Sequence, residues 1–382
     1  MIYLDAAATT LQKPSAVSRA VCRALREQTS PGRGGHSASM KAADVVWQCR
    51  EIAARFFSVK APEQIVFTMN ATHGLNVAIK SLVGPGDRVV VSSFEHNSVI
   101  RPLHRVGADL IVARSPLFDA PAAVAAYEAQ ITPETKLVVL NHASNVFGYV
   151  LPAMEIARIC KARGVAFLLD ASQSAGALPI DATALGADFI AMPGHKGLYG
   201  PQGTGLLICK HTPTTTLIEG GTGSDATRRE MPDHLPDRLE AGTPNMPGIN
   251  GLLAGLRFVE RRQAQILQHE RALTQRLIEG LRQLPNMQLY AAQDSNFQIG
   301  VLSLNLAGID CETIAAALDE QGVAVRAGLH CAPLAHESAG TLEIGTVRIS
   351  VSAFNTSREV DAFLRILEKI GKNLRKSERN LH

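Results

Sequence analysis

Between residues 64 and 209 the apolar positions fall in short runs without polar alternation, at 64–68, 88–92, 110–113, 136–141, 166–170, 189–192 and 205–209. A run apolar at consecutive positions has no face for water, so each predicts a strand buried on both sides, as in a parallel sheet covered by helices. Segments 74–82, 122–130 and 153–163 between them carry helical patterns. This alternation predicts a doubly wound α/β arrangement with right-handed crossovers. The rhythm changes after about residue 245. A long amphipathic helix with room for one break is predicted over 251–284, followed by strands at 301–304 and 347–351. A last helix opens on Thr356-Ser357-Arg358-Glu359, a capping-box pattern, and places Val360, Phe363, Leu364, Leu367 and Ile370 on one stripe. The polar tail 372–382 is expected to fray.

Composition narrows the function classes. Hydrophobic residues make up 46% and charged residues 19% of the 382 positions, which excludes a disordered chain and supplies a large core. Lys+Arg number 38 against 35 Asp+Glu, 38 − 35 = +3, and no dense basic run suggests a nucleic-acid partner. The apolar stretches are too short for a membrane span, and the opening Met1-Ile2-Tyr3-Leu4-Asp5 does not read as a secretory signal. The six cysteines are scattered with no C-x-x-C, so neither a zinc ribbon nor a dithiol motif is expected, no metal is predicted, and a reducing cytoplasm fits.

Ligands of such sheets bind beyond the carboxyl ends of the strands. Lys196 follows a strand inside Pro193-Gly194-His195-Lys196-Gly197. It reads either as a solvated loop lysine or as a partly desolvated amine available for a Schiff base. Asp170 ends the run Val165-Ala166-Phe167-Leu168-Leu169. It reads as a turn aspartate or as the counter-ion of a protonated pyridine nitrogen, which pyridoxal phosphate requires. Asn70-Ala71-Thr72-His73-Gly74 opens a helix after a strand and is either an ordinary cap or a phosphate cradle. His96 is a turn histidine or a ring that stacks on a flat cofactor and moves protons. Arg348, inside an apolar strand, needs an internal carboxylate or a substrate carboxylate. Cys331 sits in a Gly-containing turn with Arg326 and His330 nearby, surroundings able to lower a thiol pKa. Cys311 stands at a turn or helix start beside acids, and the other cysteines read mostly as small buried hydrophobes.

Taken together these residues resemble the fold-type I pyridoxal-phosphate enzymes of the class V aminotransferase group, and among them the cysteine desulfurases. The likeness runs nearly end to end: Tyr3-Leu4-Asp5-Ala6-Ala7-Ala8-Thr9-Thr10, Arg33-Gly34-Gly35-His36-Ser37, Asp170-Ala171-Ser172-Gln173-Ser174-Ala175-Gly176 with Gly194-His195-Lys196, and Glu240-Ala241-Gly242-Thr243-Pro244-Asn245. The resemblance implies a large domain over 15–250 with a mainly parallel seven-stranded sheet. A smaller α+β domain would comprise 251–382 together with 1–14. It implies that Lys196 carries pyridoxal 5′-phosphate covalently, Asp170 meets the pyridinium nitrogen and Gln173 the phenolic oxygen. His96 would stack on the ring. Ala71, Thr72, His73 and His195 would hold the phosphate, joined by Thr243 of a second copy in a homodimer. Asn145, Arg348 and His36 would bind L-cysteine, and Cys331 would take its sulfur as a persulfide, releasing alanine. The short loop after Cys331 resembles the group II enzymes. A sulfur-acceptor protein is the further partner implied. Pro193 and Leu329 depart from the family pattern, which leaves a selenocysteine lyase or an aminotransferase as the alternative.

Overall fold

The computed structural model describes residues 1–32 and 34–379. β1 (Ile2–Tyr3) precedes the helices Ser15–Glu27 and Ser37–Phe56. Seven strands then build the main sheet: β2 (Ile65–Thr68), β3 (Arg88–Ser92), β4 (Asp109–Ala113), β5 (Thr135–Asn141), β6 (Ala166–Asp170), β7 (Phe189–Pro193) and β8 (Gly205–Cys209). Their order is β2-β8-β7-β6-β5-β3-β4, parallel from β7 to β4, with β8 antiparallel to both of its neighbours. Each of the seven apolar runs is a strand.

The strands explain their own composition. Ile65, Val90, Val138, Leu140, Phe167, Leu169 and Ile190 point into a core against the helices Ser37–Phe56, Ala153–Arg163 and Met246–Glu260. The alternate residues Val66, Val89, Val91, Val139, Leu168 and Phe189 point the other way, against Ala71–Leu82 and Asn97–Val106. Both faces are dry, so neither set can be polar.

The rest of the chain forms a second sheet, β12-β13-β10-β9, from β9 (Met287–Tyr290), β10 (Val301–Leu306), β12 (Arg326–Gly328) and β13 (Thr346–Ser350). β11 (Val323–Ala324) pairs in parallel with β1, which ties the N-terminus to this half. A third apolar core lies between this sheet and the helices Gln263–Arg282, Cys311–Glu320 and Ser357–Arg379. The helix expected over 251–284 is two, Met246–Glu260 and Gln263–Arg282. The capping box forms as read: Thr356 N–H donates to Glu359 Oε2 at 2.7 Å and Glu359 N–H to Thr356 Oγ1 at 3.3 Å.

The last helix takes in most of the polar tail: it continues to Arg379, with the Lys372–Glu368 pair at 2.6 Å one turn apart, and residues 380–382 lie outside the described ones. Cys22 lies exposed on its helix, whereas Cys49, Cys160, Cys209 and Cys311 are buried. Cys311 begins a helix capped by Asp310, whose Oδ2 accepts Thr313 N–H at 2.9 Å. Among the described residues no helix is long and apolar enough to cross a membrane, and no acidic, His or Cys cluster forms a metal site.

Candidate active site

β5, β6 and β7 end side by side. Asn141 pairs with Asp170, and Asp170 with Ala191, so the carboxylate at the tip of β6 lies next to the turn that carries Lys196 after β7. Two glycines fix that relation. Gly176 has φ of +86°, and a Cβ on it would stand 2.1 Å from the Gly197 carbonyl oxygen; a Cβ on Gly197 would stand 2.4 Å from the Ala175 oxygen. The Asp170–Gly176 and Gly194–Gly197 turns thus pack backbone against backbone, which no side chain permits. Thr10 clamps the second turn through its N–H and Oγ1, both donating to the His195 carbonyl at 3.1 and 3.0 Å.

Ala71, Thr72, His96, Asn145, Asp170, Gln173, His195 and Lys196, all singled out from the sequence, line one cleft at these strand ends. Asp170 is buried. Its Oδ1 accepts Ser172 N–H and Oγ–H at 2.9 and 2.5 Å, and Oδ2 carries no hydrogen bond among the described residues. Lys196 is partly buried, and burial followed by the charge of Arg348 brings its amine from 10.5 down to about 8. His96 caps the helix Asn97–Val106, and its Nδ1 accepts Ser98 N–H at 3.0 Å. A nitrogen that accepts a backbone N–H carries no proton, so in the neutral ring the proton is on Nε2. Burial holds His96 below its ordinary value, Asp170 opposing and Lys196 assisting. His195 falls to about 4 through burial and then the charges of Lys196 and Lys13. Both rings are therefore neutral near pH 7. Gln173 spends one amide hydrogen on the Ala7 carbonyl at 3.0 Å. At the start of Ala71–Leu82, Asn70 Oδ1 takes the His73 N–H at 2.9 Å, while the first turn faces the cleft with its dipole.

Arg348, in β13, and Cys331, in the loop after β12, are not among the lining residues but reach this cleft through Asn145, which is one of them. Arg348 is 3% exposed. It pairs with Asp5 Oδ1 at 2.9 Å and donates to the Asn145 carbonyl at 2.9 Å, leaving Nε without a partner among the described residues. Arg326 grips the other oxygen of Asp5 at 2.8 Å. Two guanidiniums share one carboxylate, so the internal ion pair exists and one positive charge is still in excess. Cys331 is exposed, and both it and His330 have left-handed φ, +58° and +50°. Their carbonyls are held at the cleft: Asn97 N–H donates to Cys331 O at 2.8 Å, and Asn145 Nδ2 to His330 O at 2.7 Å. His330 does not supply the positive charge anticipated beside the thiol. Burial, then Arg348, drives it down to about 3, and its Nε2 meets the Thr346 carbonyl at 3.1 Å.

The remaining predicted residues lie elsewhere. His36 is exposed and caps Ser37–Phe56; Arg33 lies outside the described residues. The His73 ring turns back to accept Met69 N–H at 3.2 Å and borders a neighbouring groove that also includes Thr243. Thr243 of the same chain is thus away from the cleft. Its segment is anchored by Glu240, which pairs with buried Arg50 at 2.6 Å and accepts Phe67 N–H at 2.6 Å. Asp5, Asn97 and Ser172 take structural parts in the site that their types did not announce, because each acts through a tertiary contact or a backbone group.

The Aminotransferase class-V family profile matches residues 2–363. The chain belongs to the class-V aminotransferase family. Among its relatives, a probable cysteine desulfurase of Methanothermobacter thermautotrophicus is 35% identical over 97% of this chain and 94% of its own length. A cysteine desulfurase of Klebsiella pneumoniae is 33% identical over 98% and 94%. The solved apo structure of a cysteine desulfurase from Thermococcus onnurineus superimposes with a TM-score of 0.87 at 32% identity, covering 97% of this chain and 95% of that one. Members of this class-V family depend on pyridoxal 5′-phosphate. The cleft fits that group: a buried carboxylate with an unpaired oxygen suits a pyridinium N–H, a low-pKa amine suits an aldehyde, and a helix N-terminus suits a phosphate.

Proposed function

We propose that the chain is a cysteine desulfurase that removes sulfur from L-cysteine, leaves it on Cys331 as a persulfide and releases alanine. The observation that carries this reading is the placing of Asp170 and Lys196 at neighbouring strand tips in one cleft, with the Cys331 turn tied to its rim through Asn97 and Asn145. Lys196 would hold pyridoxal phosphate and Asp170 its ring nitrogen, with His96 against the ring and Ala71 and Thr72 at the phosphate. Bound there, the group supplies an electron sink for the substrate carbons, which makes the carbon–sulfur bond labile.

The chain's own residues do the rest. The excess charge of Arg348 and Arg326 over Asp5 draws the substrate carboxylate, and the buried Nε of Arg348 is a donor still without a partner. Lys196, close to half neutral near pH 8, exchanges between free amine and ammonium and so takes and returns protons. His96 stays neutral with its proton on Nε2. Cys331 attacks the substrate sulfur as thiolate: a sulfur–sulfur bond forms, the carbon–sulfur bond breaks, and the electron pair left on carbon takes a proton on the way to alanine. A partner thiol, as on a sulfur-acceptor protein, then takes the outer sulfur.

Thr243 lines the neighbouring groove and not this cleft, which is compatible with what the family resemblance implies, a phosphate contact from Thr243 of a second copy in a homodimer. The chain divides after the helix Met246–Glu260, whose Leu252, Leu253 and Leu256 pack in the main-sheet core, with residues 1–14 joining the C-terminal part through β1–β11 and Asp5–Arg348. Six free thiols suit a reducing, cytoplasmic setting. The test supplies L-cysteine, pyridoxal phosphate and a reductant, and measures alanine and sulfide. Wild type should yield both in equal amounts and Cys331→Ala neither. Undiminished sulfide from Cys331→Ala would overturn the reading in favour of a lyase that needs no persulfide.

A further inference from the structure

Lys196 borders two cavities. On one side lies the cleft with Asp170. On the other, toward the helix Gln263–Arg282, lies a smaller cavity whose wall includes Thr10, Tyr199, Glu270, Gly300 and Ser350. Lys196 and Gln173 belong to both walls and separate them. About 40 Å³ of the rear cavity is open to water centres, room for a few waters among polar groups.

Glu270 is 9% exposed and has no cation beside it among the described residues. Its Oε1 accepts the Tyr199 hydroxyl at 3.4 Å, and that hydroxyl oxygen accepts Ala353 N–H at 2.8 Å. Its Oε2 carries no hydrogen bond among the described residues and lies 3.6 Å from where a Cβ on Gly300 would stand, in the cavity wall. A buried carboxyl in the wall of a cavity that also reaches an amine is placed to trade protons with that amine.

We propose that Glu270 is the proton-exchange partner of Lys196, acting through water held in this rear cavity. The proposal rests on Lys196 being the cofactor-bearing amine. Burial raises Glu270 from 4.5 to about 8, and Lys196 is lowered to about 8. Donor and acceptor of matched acidity pass a proton either way at little cost. One proton is shared: amine with carboxylic acid, or ammonium with carboxylate. Only N–H and O–H bonds change. The charged groups acting on Lys196 are Arg348, Asp170, Asp5 and Arg326, whereas Glu270 meets the Tyr199 phenol and shares with Lys196 the wall of the rear cavity. When the cleft is filled, the rear cavity is the side of Lys196 left for exchange.

The test follows uptake of pyridoxal phosphate by cofactor-free protein across pH, read by visible absorption and located on Lys196 by borohydride trapping. Glu270→Gln removes the carboxylate that steadies the ammonium, so the uptake midpoint should fall by about half a pH unit or more. Gly300→Ala keeps Glu270 and puts a methyl 3.6 Å from Oε2, at the cost of moving the Val351 side chain that it would meet at 2.9 Å, and should slow uptake about fivefold by displacing water. A Glu270→Gln midpoint within about 0.2 units of wild type would overturn the proposal. If that variant does not fold, wild-type uptake by Gly300→Ala would overturn it instead. No uptake at Lys196 in the wild type would overturn the cofactor assignment itself, a different result from an unshifted midpoint.

Discussion

The most informative perturbation of this site is a change of pH. An aldehyde adds to the neutral amine only, so the rate of cofactor uptake tracks the neutral fraction of Lys196. With the amine brought from 10.5 to about 8, roughly one molecule in ten is neutral at pH 7, against about one in 3000 for a solvated lysine, a gain of about 300-fold. The sign follows from the causes: burial and Arg348 both oppose the ammonium, outweighing Asp170 and Asp5. Uptake by the cofactor-free protein should therefore rise with pH and level off just above pH 8. Lys196→Arg, with no amine to react, should show no trapped cofactor. Arg348→Met removes the second-largest cause and should move the midpoint upward. A midpoint near 10.5, or covalent cofactor on another lysine, would refute the reasoning.

Further predictions test the frame around that amine. Asp170→Ala leaves the ring nitrogen without its counter-ion, so alanine formation should fall by about 100- to 1000-fold while the protein stays folded; stopped assays of alanine check this. Arg50→Met strands the Glu240 carboxylate against Phe67 and should cost about 3–5 kcal/mol in denaturant unfolding, with Arg50→Met/Glu240→Met recovering much of it. Glu270, raised to about 8 in the fold from 4.5 unfolded, stabilises fully below pH 4.5 and loses that contribution as pH rises through 8. The stability of Glu270→Gln relative to wild type should thus grow between pH 4.5 and 8, by up to about 5 kcal/mol. Thermal melts across that range check it, and a constant difference would count against a neutral Glu270.

What the sequence reveals here depends on where the controlling contact lies. The seven main-sheet strands are legible because each is dry on both faces, so a local run of apolar residues suffices. Asp170 and Lys196 are legible because a charge at the end of an apolar strand is an anomaly that asks for a partner. β9, β11 and β12 are short, and pairing with β10, β1 and β13 rather than their own apolar pattern makes them strands. Glu270 stands between His269 and Arg271 and reads as an exposed helix position; only the packing of Gln263–Arg282 buries it. The pinning of Cys331 is invisible for a similar reason, since one of its two ties is the backbone N–H of Asn97. The facing of a ring, as in His73, is likewise set by a neighbour's amide rather than by residue type.

The central claim, that this cleft moves sulfur from a substrate onto Cys331, is tested most directly by mass spectrometry of the cofactor-loaded protein after brief exposure to L-cysteine, without reductant. The account predicts one added sulfur atom on the peptide containing Cys331, removed by a thiol and absent from Lys196→Arg. Sulfur on Cys22 or another cysteine, with Cys331 unmodified while alanine accumulates, would contradict it.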